Sequence, residues 1–212
     1  LGDRTYAAKN PEYGTYINFS LEKDAKSPIK VDIIDNDGSL VTSLQMENAK
    51  RGINRLVWDL GYDAAVTLEN KIKEGFSSDE IRPKVVPGEY TARINYEGLK
   101  LEEKISVAGD NRIKMPTDDY KKKLKALLTL RDLLSRTHKL IDKVSFSADQ
   151  LEDLIKKLND VSSDDTKDAM VIHKKIVDHK FEFLMRPPPS MTYRQRPRLR
   201  EEIRSLMSAI DN

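Results

Sequence analysis

The 212-residue chain contains no cysteine. That excludes disulfides, thiolate metal sites and cysteine nucleophiles together. It is compatible with either redox compartment, and an oxidising one tolerates such a chain well because nothing in it can mispair. No apolar run approaches the ~20 residues that a membrane helix needs. The sequence has no Gly-rich phosphate loop, no Gly-x-Ser-x-Gly elbow and no His-Glu-x-x-His pair, so no cofactor is expected from motifs. A formal net charge of +2 is too small to argue for a nucleic-acid partner. The start, Leu1-Gly2-Asp3-Arg4, has neither Met nor a charged-then-apolar signal pattern, and reads as that of a fragment or a processed product.

Charge and periodicity change together along the chain. Residues 1–115 hold 17 Lys and Arg against 19 Asp and Glu, whereas residues 116–212 hold 20 against 16. The first part alternates apolar and polar residues with period two. The second repeats apolar residues at helical spacing. Two domains are expected, 1–115 and 116–212.

The only tryptophan, Trp58, lies in Ile53-Asn54-Arg55-Leu56-Val57-Trp58-Asp59-Leu60, a strand pattern preceded by a turn glycine, Gly52. Ile53, Leu56 or Val57, and Trp58 would supply its apolar bulk. Val86-Pro87-Gly88-Glu89-Tyr90-Thr91-Ala92-Arg93-Ile94 reads as its partner. Further strands are expected at 15–21, with Ile17, Phe19 and Leu21 inward, at 29–34, at 40–46 and at 99–107. The strand to 96 would carry Tyr90, Ala92, Ile94 and Tyr96 on one face. Strands of this length with turns between them predict an antiparallel β-sandwich. Asp35-Asn36-Asp37-Gly38-Ser39 resembles the start of a calcium loop. Such a loop needs a bidentate Glu at its twelfth position, which here is Met46, so a hairpin turn is expected. The charged stretch 61–85 is long for a loop, with a short helical turn expected near 68–75. It is either a binding excursion or a surface insertion.

Pro116-Thr117-Asp118-Asp119 predicts a helix start. Tyr120, Leu124, Leu127, Leu128, Leu134 and Ile141 follow at helical spacing. Ser147-Ala148-Asp149-Gln150 has the form of a capping box, which leaves open one long helix or two. Ser162-Ser163-Asp164-Asp165 is a clearer break before a helix over 167–185. Arg186-Pro187-Pro188-Pro189-Ser190 ends that helix, and Pro197 fits the first turn of a last one. Its inward face would be Leu199, Ile203, Leu206 or Met207, and Ile210. A helical hairpin or three-helix bundle is the expected outcome.

Candidate chemistry is sparse. Trp58 is either a ligand-stacking platform or a core residue, and the apolar character of its strand favours the core. His138 falls on the apolar stripe, where a hydrogen-bonded core or boundary histidine is expected in preference to a ligand. His173 and His179 are six residues apart, too far round a helix to share a metal readily. Arg186, Arg194, Arg196, Arg198 and Arg200 with Tyr193 form either an anionic docking patch or a solvated segment paired with Glu201 and Glu202. Trp58, Arg194, Arg196 and Arg198 make up the candidate binding surface.

The pattern Gly52-x-Asn54-Arg55-x-x-Trp58-Asp59 followed by Pro87-Gly88-x-Tyr90-Thr91-x-Arg93 resembles the Ig-like domain of flagellar hook-capping proteins. More closely, it resembles the C-terminal region of bacterial sortilin-like, BNR-repeat β-propeller proteins, often classed as glycosyl hydrolases by their propeller. Ala8-Lys9-Asn10-Pro11-Glu12-Tyr13-Gly14, Leu128-Thr129-Leu130-Arg131-Asp132-Leu133-Leu134 and Pro197-Arg198-Leu199-Arg200-Glu201-Glu202-Ile203 match further segments in the same order. The resemblance implies an Ig-like sandwich, a location outside the cytoplasm and an upstream propeller that these residues do not include. Any ligand or catalytic site on that propeller has no position here. The expected function is that of a non-catalytic C-terminal accessory module that supports or extends the propeller or docks a partner. The alternative is a carbohydrate-binding module, with Trp58 or tyrosines as platforms. A cell-surface sorting tail fits less well, because a long helical segment follows the sandwich.

Overall fold

The computed structural model describes residues 10–68, 81–110, 112, 115–158, 163–185 and 196–211. Six strands precede three helices among these residues. The strands are β1 (Thr15–Leu21), β2 (Ile29–Asp35), β3 (Leu40–Met46), β4 (Gly52–Trp58), β5 (Gly88–Tyr96) and β6 (Leu99–Val107). The helices are α1 (Thr117–Leu158), α2 (Ser163–Phe183) and α3 (Leu199–Asp211). The chain divides into two compact units. One comprises Leu1–Asp63 and Lys84–Tyr120; the other comprises Ala64–Pro83 and Lys121–Asn212. Residues 64–68 and 81–83, within the stretch 61–85 read from the sequence as an excursion of the strand region, are thus part of the helical unit.

In the first unit β1 pairs with β4, and β3-β2-β5-β6 form a second sheet, with every pairing antiparallel. Buried residues of both sheets form a single cluster that includes Ile17, Val31, Ile33, Trp58, Tyr90 and Ala92. Two antiparallel sheets sharing one core is the arrangement expected of a sandwich. The Trp58 strand and the Tyr90 strand are not hydrogen-bonded partners, contrary to the sequence expectation. Their side chains meet inside that core, ring centroids 5.5 Å apart and edge to face at 65°. Ile53 is also placed differently from the expectation. Side chains alternate along a strand, so a register that buries Trp58, with Leu56 and Asn54 on its side, must turn Ile53 outward, where it is 85% exposed.

The turn at Asp35 is a hairpin turn, as read from the sequence. One carboxylate oxygen of Asp35 accepts from the Asp37 and Ser39 amides at 3.0 and 2.8 Å, and Gly38 takes a φ of +80°. The carboxylate is thereby engaged with its own turn.

The helix α1, all but its first four residues in the second unit, runs unbroken for 42 residues through the Ser147 capping signature. The Ser147 hydroxyl donates back to the Lys143 carbonyl at 3.0 Å, an alternative to capping that keeps it inside the helix. Ser145 does the same to Ile141 at 2.7 Å. Leu127 and Leu134 of α1 pack with Ile203 and Met207 of α3, and Ala65 and Ile81 add to that cluster. Further along, Ile141 packs with Leu184 and Leu68. Of the inward residues expected for α3, Ile203 and Met207 are buried, whereas Leu199 and Leu206 are exposed. Pro197 precedes the helix by two residues. The helical turn expected near 68–75, the break at 162 and the proline run from 186 fall largely outside the described residues.

Candidate functional site

Trp58 is fully buried. Its indole N–H donates to the Gly61 carbonyl at 3.1 Å, which draws the chain after β4 back beneath the ring. Asp59 stabilises the same turn by accepting from the Gly61 amide at 3.2 Å, and Leu60 adopts a φ of +59°. The Val85 amide donates to the Leu60 carbonyl, and Lys84 Nζ donates to the Asp59 carbonyl at 3.0 Å. On the strand side the backbone of Gly14 lies so close that a Cβ there would come within 2.2 Å of the Trp58 carbonyl oxygen. No ring face of Trp58 is open to a ligand, so it leaves the candidate binding surface.

Arg196 and Arg198 are exposed just before α3, and Arg194 lies outside the described residues. Arg200 differs from them. It is buried, because it stands three residues before Ile203 and seven before Met207 on the inward side of α3. Its Nε–H donates to Nε2 of His138 at 3.1 Å. Since a guanidinium only donates, Nε2 must be the acceptor and Nδ1 must carry the proton. That N–H donates to the Val66 carbonyl at 2.5 Å, and the Val66 amide donates to Ser135 Oγ at 3.1 Å.

The guanidinium also donates from Nη1 to Glu201 Oε1 at 3.1 Å. The second oxygen of Glu201 accepts from the amides of Met185 and Arg198, each at 3.3 Å. The contact with the Arg198 amide is the reciprocal half of a capping box, reached here without a Ser or Thr cap. Burial pulls the Arg200 pKa below its usual value, and the hydrogen bond to Glu201 opposes that shift. The network joins four separate pieces of chain: residues 66, 138, 185 and 198–201. The sequence marked His138 as a hydrogen-bonded core or boundary residue, and that is its environment. It did not mark Arg200 as the partner, although Arg200 shares the spacing of the α3 apolar face.

The remaining candidates are separate from this network. His179 lies beside Glu182, with Nδ1 to Oε2 at 2.9 Å, and stacks edge to face on Phe183. Among the described residues, no group of three or more His, Asp or Glu side chains is placed to hold a metal ion. Nor is any described helix long and apolar enough to cross a membrane. Two exposed tyrosines lie in the sheet unit. Tyr16 carries the Arg55 guanidinium 4.5 Å from its centroid, and Tyr13 lies 5.2 Å from Lys84 Nζ. An open depression at one end of the β5–β6 hairpin is lined by Ser27, Pro28, Asn95, Tyr96, Gly98 and Leu99. Comparison with models of known protein families and with curated proteins finds no match for the chain.

Proposed function

We propose that the chain is a non-catalytic accessory module, an Ig-like sandwich followed by a helical domain, that supports or extends an upstream β-propeller or docks a partner outside the cytoplasm. One observation carries this reading: side chains with the most chemical potential are committed to holding the fold. Trp58 closes the sandwich core, both ring nitrogens of His138 are hydrogen-bonded, and Arg200 is held between His138 and Glu201. The resemblance of the Gly52–Asp59 and Pro87–Arg93 runs to the C-terminal region of propeller proteins supplies the setting. The test combines incubation of the chain with a panel of glycosides and a pull-down with the propeller of its parent protein. The proposal expects no turnover and retention of the propeller. Turnover that is lost on a single carboxylate substitution would overturn it.

A carbohydrate-binding role is the second reading, favoured by the exposure of Tyr13 and Tyr16. It no longer rests on Trp58. A glycan array read with Tyr13→Ala and Tyr16→Ala separates the two readings. Glycan signal that falls in either variant supports carbohydrate binding, and no signal with the intact chain rejects it.

A further inference from the structure

The buried seam of α1 has a second seam beside it. Of the buried residues of α1, Leu134, His138, Ile141, Ser145, Ala148 and Ile155 make up one line. The residue preceding each of these lies about 100° round the helix, and these positions form a regular series of their own. Leu133, Leu140 and Leu154 stand at multiples of seven, with Val144, Leu151 and Leu158 interleaved, so that spacings of four and three alternate from 133 to 158. Thr137 and Ser147 complete the series, each with its hydroxyl turned back to a carbonyl four residues earlier. This is the heptad pattern whose knobs fit the holes of another helix. It is filled only in part: Thr137 is buried and Val144, Leu151 and Leu158 are half-buried, whereas Leu133, Leu140 and Leu154 are 38%, 42% and 48% exposed. Isolated exposed leucines are ordinary. A heptad series sustained over 26 residues of one helix is not of that kind.

The flank decides the occupant. One side of the seam is the core of the unit itself. The other side carries the positions that flank a coiled-coil seam, and they are Arg136, Lys143, Gln150 and Lys157, all exposed and three of them cationic. A second copy packed antiparallel through this seam would bring the two cationic rows together. A second copy packed parallel would need for its pairing the residues already buried in the core. We infer that the exposed seam of α1 binds a partner helix whose own apolar heptad stripe is flanked by Glu or Asp. This deepens the accessory-module reading by naming the class of partner, and rests on that reading for its biological sense.

The test uses the full 212-residue chain and two synthetic four-heptad helices. Both have Leu at the two seam positions; one has Glu at the flanks and the other Lys, so each is repelled from itself. Anisotropy titration is expected to show binding of the Glu-flanked peptide at least about tenfold tighter than that of the Lys-flanked one. The pair Leu140→Glu and Leu154→Glu, both on the exposed face, should abolish binding while leaving the helical circular dichroism unchanged. Arg136→Glu with Lys143→Glu and Lys157→Glu should invert the preference, which a general loss of structure would not do. Equal binding of both peptides, binding of neither, or dimerisation of the chain that Leu140→Glu abolishes would each overturn the inference. Glycoside turnover by the chain would remove the accessory reading and leave the titration result standing, so the two failures are distinguishable.

Discussion

The sheet unit and the helical unit solve the same problem in different ways. The sheet unit concentrates its apolar residues in one cluster about Trp58, fed by both sheets. The helical unit divides its apolar contacts between two smaller clusters along α1, and adds a buried polar relay from Val66 through His138 and Arg200 to Glu201. Two sheets face each other over an area, and their inward side chains can meet in one layer. A 42-residue helix presents a line, and the segments that cross it do so at separate points. Hydrogen-bonded polar groups add direction at those points, where a loop and two helix ends must each be fixed in one position.

Substitutions in the two units should therefore fail differently. The largest effect is expected for Trp58→Ala, which empties the centre of the single cluster and removes the Gly61 contact; denaturant unfolding should show a loss of about 3–5 kcal/mol. Gly14→Ala comes next, at about 2–3 kcal/mol in the same assay, because the new Cβ would strike the Trp58 carbonyl at a φ of +131°. In the helical unit, Arg200→Ala leaves His138 Nε2 without its donor and should cost about 1–3 kcal/mol. Arg198→Ala, on an exposed side chain two residues away, should stay within about 0.5 kcal/mol. Equal losses for the two arginines would erase the distinction between relay and solvated segment.

A further difference concerns pH. Burial, then the neighbouring Tyr62 and Asp35, raise the Tyr90 hydroxyl from 10.0 to about 12, and the hydroxyl donates to the Val86 carbonyl at 2.7 Å. The folded state keeps this proton longer than the unfolded state does. Its contribution is therefore complete below pH 10 and is lost as the pH rises towards 12. Tyr90→Phe should lower stability at neutral pH by about 1 kcal/mol and flatten the fall between pH 10 and 12. A fall as steep in the variant as in the parent would contradict that assignment.

The period-two pattern made the strands legible, and their inward residues largely followed. Ile17, Val31, Ile33, Tyr90 and Ala92 lie where alternation puts them. What was illegible was pairing. Trp58 and Tyr90 attract one another across the core, and sequence proximity to a shared motif does not reveal whether such a contact runs along a sheet or between sheets. The stretch after Gly61 was illegible for another reason. Ala65, Leu68 and Ile81 are too few and too irregularly spaced to show a period, so only their contacts with α1 and α3 reveal that they are core residues of the helical unit. The Ser147 signature misleads because a serine hydroxyl can cap a following helix or bond back to a preceding turn, and the local sequence is the same for both. Of the candidate binding residues, Trp58 was legible as core from the apolar strand around it. Arg200 was legible only from its spacing to Ile203 and Met207.

Because the chain has one tryptophan, its emission reports Trp58 alone when tryptophan is excited selectively over the eight tyrosines. This ring closes the sandwich core and is not a platform for ligands. The most direct test is the emission of the intact chain, read with a soluble quencher and with added glycans. A ring closed into the core gives blue-shifted emission, weak quenching until denaturant unfolds the chain, and no change with any glycan. Red-shifted emission that is freely quenched in the folded chain, and that shifts when a glycan binds, would contradict it.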